Sequence, residues 1–154
     1  MSNIHRLSPE TSSSAIEEIE VTTGRLASIL TSAVIDNRVD EDGHLYATDG
    51  LDFPAWVEID GDRKLICFFT YFAFDEEAAE IAADNAASIV NDLNASIILA
   101  QFNWKRDRLW GHYWMTFDTR IDARHFIKML RAFSSAFVGG AKDFAQQLEN
   151  RTKQ

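Results

Sequence analysis

Leu65-Ile-Cys-Phe-Phe-Thr-Tyr-Phe-Ala-Phe74 is apolar on both of its alternating sets of positions, and Asp75-Glu-Glu77 with a long alanine-rich segment follows it at once. Successive side chains of a strand point to opposite faces, so Leu65, Cys67, Phe69 and Tyr71 share one face while Ile66, Phe68, Thr70 and Phe72 share the other. A strand wetted on one side would alternate apolar with polar. This one reads as the centre of a sheet, or as a strand packed a second time by a partner chain.

Upstream, Phe53-Pro-Ala-Trp-Val-Glu-Ile59 predicts a strand in which Trp56 faces away from Val57 and Ile59, and Asp60-Gly-Asp62 is the hairpin signal that joins it to the central strand. Before it, Val39, the turn Asp40-Glu-Asp-Gly43 and the alternating Leu45 and Ala47 complete a three-stranded antiparallel meander. The first helix has two candidate starts. Ser14-Ala-Ile-Glu17 has the form of a capping box, whereas the β-branched Val21-Thr-Thr-Gly24 places the cap at Thr22 or Thr23.

Downstream, Asp75 predicts the N-cap of a helix running to about Leu93, with a polar row Glu76, Glu80, Asp84, Ser88 and Asp92 and a small-residue edge that includes Ala79 and Ala83. Ile97 to Trp104 and Leu109 to Phe117 form a second hairpin across Lys105-Arg-Asp-Arg108. Asp122 then caps a long helix in which Phe126, Leu130, Phe133, Phe137, Ala141, Phe144 and Leu148 keep one phase through Gly139-Gly140, where a bend or short break is expected. The pattern predicts an α+β fold in the order α-β-β-β-α-β-β-α, a largely antiparallel five-stranded sheet with one face packed by the first and last helices. A flexible tail over residues 1–13, a single domain over 14–149 and a frayed end over 150–154 complete the expectation.

Composition narrows the role. The 15 Lys+Arg against 24 Asp+Glu leave a net charge of −9, which opposes binding to nucleic acid and to anionic membranes. The N-terminus lacks the apolar core of a signal peptide and no apolar run reaches the ~20 residues that span a bilayer, so a cytoplasmic location is expected. The one cysteine, Cys67, lies in the most apolar strand and reads as a small hydrophobe.

No residue pattern names a reaction. Asp40, Asp42 and Gly43 could enter a calcium loop, but Arg38 and Asp49 stand where its first and last ligands belong, and a turn is the better reading. His5, His44, His112 and His125 have no zinc-helix spacing. A Cys67/His112 nucleophile pair across the sheet is outweighed by a buried structural thiol. No catalytic residue, metal or cofactor is therefore expected. Two surfaces rise above this background. Trp104, Trp110, Tyr113 and Trp114 crowd the final hairpin as a candidate partner or dimer surface, together with the Ala79 and Ala83 edge. Arg124, Lys128 and Arg131 form a basic face on the last helix of an acidic chain.

The element order, with Asp42-Gly43-His-Leu45, Phe53-Pro-Ala-Trp-Val57, the apolar strand ending at Phe72, the helix carrying Asn85, Asn91 and Asn94 and the Ile121-Asp122 opening of the last helix, resembles the YbjN family of proposed bacterial sensory transduction regulators over residues 22 to 148. That family's fold is similar to type III secretion chaperones. The resemblance implies an α+β unit that tends to pair and that has no established catalytic residues. Together with the charge, it supports a non-enzymatic regulator or chaperone-like adaptor that binds a protein partner and forms a homodimer. The alternative is a small-molecule sensor or enzyme built on a closed pocket of Trp110, His112 and Trp114.

Overall fold

The computed structural model describes residues 15–153. The expected tail and Ser14 lie outside the described residues. The capping-box start of the first helix gives way to a short strand, β1 (Ala15–Glu17), and one 3-10 turn. Helix α1 (Thr23–Ser32) begins at the second candidate site, with the Thr22 hydroxyl accepting from Arg25 N–H at 3.2 Å.

The meander follows as β2 (Asn37–Val39), β3 (Leu45–Ala47), β4 (Ala55–Asp60) and β5 (Leu65–Ala73), then α2 (Glu76–Ser96), the hairpin β6 (Gln101–Trp104) and β7 (Arg108–Thr116), β8 (Arg120–Asp122) and α3 (Ala123–Thr152). The main sheet is antiparallel with order β2-β3-β4-β5-β7-β6, and β1 pairs with β8 in a separate ribbon. The sheet thus has six strands where five were expected. The short β2 counts as a strand of its own, and three-residue strands carry too little alternation to be seen in sequence. The reverse error occurs before β6: Ile97 is the C-cap of α2, Ile98 is 88% exposed, and only Gln101–Trp104 pairs. The β6–β7 hairpin turns on Arg106 and Asp107, both at positive φ (54° and 56°) in a chain position without the usual Asn-Gly.

All three helices contribute to one buried core on the side of the sheet that carries Phe68. Phe68 is fully buried and meets Phe126 and Phe133 of α3 at ring distances of 5.7 and 6.0 Å. Helix α3 runs unbroken through Gly139-Gly140. The reason is close approach: a Cβ on Gly140 would stand 2.2 Å from the Phe102 ring, and one on Gly111 of β7 2.4 Å from Phe137. The glycines let the helix lie against the strands, and this packing offsets their weak helix propensity. The helix continues over 150–152, read from sequence as a frayed end, and Arg151 bonds Asp92 of α2 at 3.3 Å.

Buried polar groups are paired. Ser134, with no exposed surface, donates to Phe53 O at 2.9 Å and accepts from Phe53 N–H at 2.7 Å, which ties α3 to the loop before β4. At the β6 edge the Asn94 side chain takes both outward groups of Phe102, donating to its carbonyl at 3.0 Å and accepting from its N–H at 2.7 Å. A side-chain amide here stands where a further strand would pair, and so protects that edge.

Candidate functional site

Alternation sends Tyr46, Trp56, Phe69, Tyr71, Trp110 and His112 to the sheet face away from the helices, and register aligns them: Tyr46 pairs with Trp56, Trp56 with Phe69, Phe69 with His112 and Tyr71 with Trp110. Their rings form a continuous ladder. Centroids are 4.5 Å apart for Tyr46–Trp56, 5.7 Å for Trp56–Tyr71 at an interplanar angle of 10°, and 4.8 Å for Tyr71–Trp110. Arg38 of β2 lies 5.3 Å over Tyr46 and Arg108 of β7 lies 4.4 Å over Tyr71, so cations close on the ladder from both directions. The rings come from four strands, β3, β4, β5 and β7, which at ~4.8 Å spacing makes the ladder about 14 Å across. The rings are half-buried, and the ring contacts of this face run among its own side chains and His44, not to a helix.

Beside the ladder is an open depression of about 340 Å³ lined by Glu58, Cys67, Phe69, Asn103, Lys105, Arg106, Trp110 and His112. Burial first, and the Glu58 carboxylate second, push the Cys67 thiol up to about 12, so it stays protonated at neutral pH and is a poor nucleophile. Burial also lowers the pKa of His112 from 6.5, which favours the neutral ring whose Nδ1 faces the Asn103 amide at 3.5 Å. Trp114 lies outside this depression, and among the described residues no closed chamber joins it to Trp110 and His112.

The aromatic group predicted on the hairpin is split by strand alternation. Trp110 and Trp114 belong to the open face, with Trp114 43% exposed. Trp104 instead stacks on Phe144 of α3 at 5.5 Å and 6°, and Tyr113 lies over Phe68 at 6.2 Å, both on the helix side. Ala79 is buried inside the chain while Ala83 is exposed, so the two do not form one open edge. Arg124, Lys128 and Arg131 are exposed on α3, where they border a groove toward α1. Asp40 serves its own turn, its carboxylate accepting from Asp42 N–H at 3.1 Å and His44 N–H at 2.8 Å.

Sequence reasoning missed Arg38, Tyr46, Trp56, Phe69, Tyr71 and Arg108 as site residues. Their facing was available from alternation, but membership of one ladder depends on register between strands that are far apart in sequence.

Among the described residues no helix is long and apolar enough to cross a membrane. Among curated proteins no sequence relative matches. The crystal structure of YbjN, a proposed transcription regulator from E. coli, is similar in fold, with a TM-score of 0.60, 14% identity and coverage of 82% of this chain and 92% of that one. A family model described as T3SS (YopN, CesT) and YbjN peptide-binding chaperone 1 matches residues 18–154. With its α+β core and antiparallel sheet matched over nearly its whole length, the chain belongs to this TY-Chap1 family of peptide-binding chaperones.

Proposed function

We propose that the protein is a non-enzymatic, chaperone-like adaptor of the bacterial cytoplasm that holds an extended segment of a protein partner on the open sheet face. The observation that carries this is the ladder Tyr46–Trp56–Tyr71–Trp110, covered by no helix among the described residues, with Arg38 and Arg108 against its rings. Stacked rings present apolar area with little rotamer freedom to lose, and the arginines add donors for carbonyl or carboxylate groups. At about 3.3 Å per residue, a ladder of this width accommodates roughly four extended residues. The family description, a peptide-binding chaperone, is consistent with that occupant.

The test is affinity for labelled unstructured 12-residue peptides by fluorescence anisotropy. Trp56→Ala combined with Tyr71→Ala is expected to weaken the best binder at least about tenfold, because central aromatic anchors carry most interface energy. Equal binding by wild type and variant counts against the reading. Self-pairing is the second reading, favoured by the exposure of Trp114 at one end of the same face. A homodimer burying roughly 800 Å² per partner is then expected in light scattering at tens of micromolar, and Trp114→Asp should release monomers. A stable wild-type monomer at that concentration removes the dimer from the reading.

A further inference from the structure

On the opposite side of the molecule from the aromatic ladder, α1 and α3 leave a groove of about 530 Å³. Its floor is apolar, made by Ile29 and Ala33 from the end of α1 and by Ala123 and Ile127 of α3. Arg124, Lys128 and Arg131 line one rim as an i, i+4, i+7 stripe, roughly 11 Å long at ~1.5 Å per residue. Among the described residues no acidic side chain lines the groove.

Three physical facts make this arrangement unusual in a chain of net charge −9. Arg124 stands in the first turn of α3, where the one acidic group is the N-cap carboxylate of Asp122, bonded to His125 N–H, and its own charge opposes the positive end of the helix dipole. Neighbouring cations at i, i+4 spacing repel one another. Among the described residues none of the three has an ion-pair partner; Arg131 bonds only the carbonyl of Ala33, at 3.0 Å, which holds its guanidinium at the groove mouth with further donors unused. The α1 end gains a capped carbonyl from Arg131, but among the described residues no ion pair offsets the charge of the stripe.

We infer that this groove is a second docking site, which takes an acidic amphipathic helix of a partner protein. Two or three turns match the length of the stripe, with aliphatic side chains at i, i+3, i+4 and i+7 on the Ile29/Ala33/Ile127 floor and Glu or Asp toward Arg124, Lys128 and Arg131. Ligand charge of that sign relieves the self-repulsion of the rim and complements the helix end. A basic helix would add to both costs. The site is distinct from the open sheet face in position and in chemistry: one offers flat rings to an extended chain, the other a cationic rim over an aliphatic floor.

The probe is a fluorescein-labelled peptide of about 15 residues with Leu at i, i+3, i+4 and i+7 and Glu elsewhere, and a matched peptide with Lys for Glu, both titrated with the full chain. The Glu peptide is expected to bind, more weakly as salt is raised, and Arg124→Glu with Lys128→Glu should weaken it by about tenfold or more. Both residues are exposed, so melting temperature serves as the control for folding. Amide shifts should map to α1 and α3, and Trp56→Ala with Tyr71→Ala should leave this binding unchanged. Equal binding of the Lys peptide, no response to the charge reversal, or shifts confined to the sheet face would each overturn the assignment. So would self-association that the charge reversal abolishes, since the groove would then hold a second copy.

Discussion

Phe68→Ala is expected to remove about 3–5 kcal/mol of folding stability, out of the ~5–15 kcal/mol that a domain of this kind has. Phe68 is fully buried at the middle of β5, paired with Val57 on one side and Tyr113 on the other. Its ring meets Phe126, Phe133 and Tyr113, which come from the helix layer and from the neighbouring strand. Truncation therefore leaves a cavity bounded by three aromatic rings, two held by α3 and one by β7, and none of them can move in without losing its own contacts. In urea the midpoint should fall sharply with the slope unchanged, and in a thermal scan the melting temperature should fall by roughly 6–20 °C. A loss below about 1 kcal/mol would mean that the site collapses freely and that Phe68 is not at the centre of the core.

The second large effect runs against a sequence rule. Glycine weakens a strand interior, so Gly111→Ala should help if only propensity counted, by ~0.4–1 kcal/mol through the unfolded chain. The structure reverses the sign. The added Cβ would stand 2.4 Å from Cδ2 and 2.9 Å from Cε2 of Phe137, a ring with no exposed surface that also packs on Phe53 and Phe102. Net destabilisation of about 1–3 kcal/mol is expected, and more for Gly111→Val. A double-mutant cycle with Phe137→Leu makes the cause visible, because the smaller side chain should recover part of the loss, giving a coupling of about 0.5–3 kcal/mol. If the two losses simply add, Phe137 is not what glycine at 111 accommodates.

Much of the fold is legible in these same residues. The two-faced apolar run from Leu65 to Phe72 marks the centre of the sheet, because period-2 alternation is a local property of a strand. The Phe126–Leu148 periodicity marks α3 equally well, and Asp75 and Asp122 do cap their helices, accepting from Ala78 N–H at 2.8 Å and His125 N–H at 2.9 Å. The resemblance to the YbjN family rests on such local stretches and on element order, and the family match agrees with it.

The candidate site was legible only in part. Trp110 and Trp114 stand out by composition, but grouping them with Trp104 and Tyr113 ignored the alternation that sends the latter two into the helix layer. The basic stripe Arg124, Lys128 and Arg131 was visible as a helical spacing, while the apolar floor beside it comes from α1, about a hundred residues earlier in the chain.

By itself the sequence determined the two-faced central strand, the helix caps, the acidic charge and the facing of each strand residue, since all of these follow from spacing within one segment. Tertiary structure decided what those residues meet. Strand register aligned Tyr46, Trp56, Tyr71 and Trp110 into one ladder; the crossing of α3 over β7 and β6 turned Gly111 and Gly140 from weak points into contact points; and the packing of α2 left Ala79 buried and Ala83 in solvent. Each depends on contacts between segments distant in the chain, where packing of whole surfaces outweighs the few tenths of a kcal/mol that local propensity supplies.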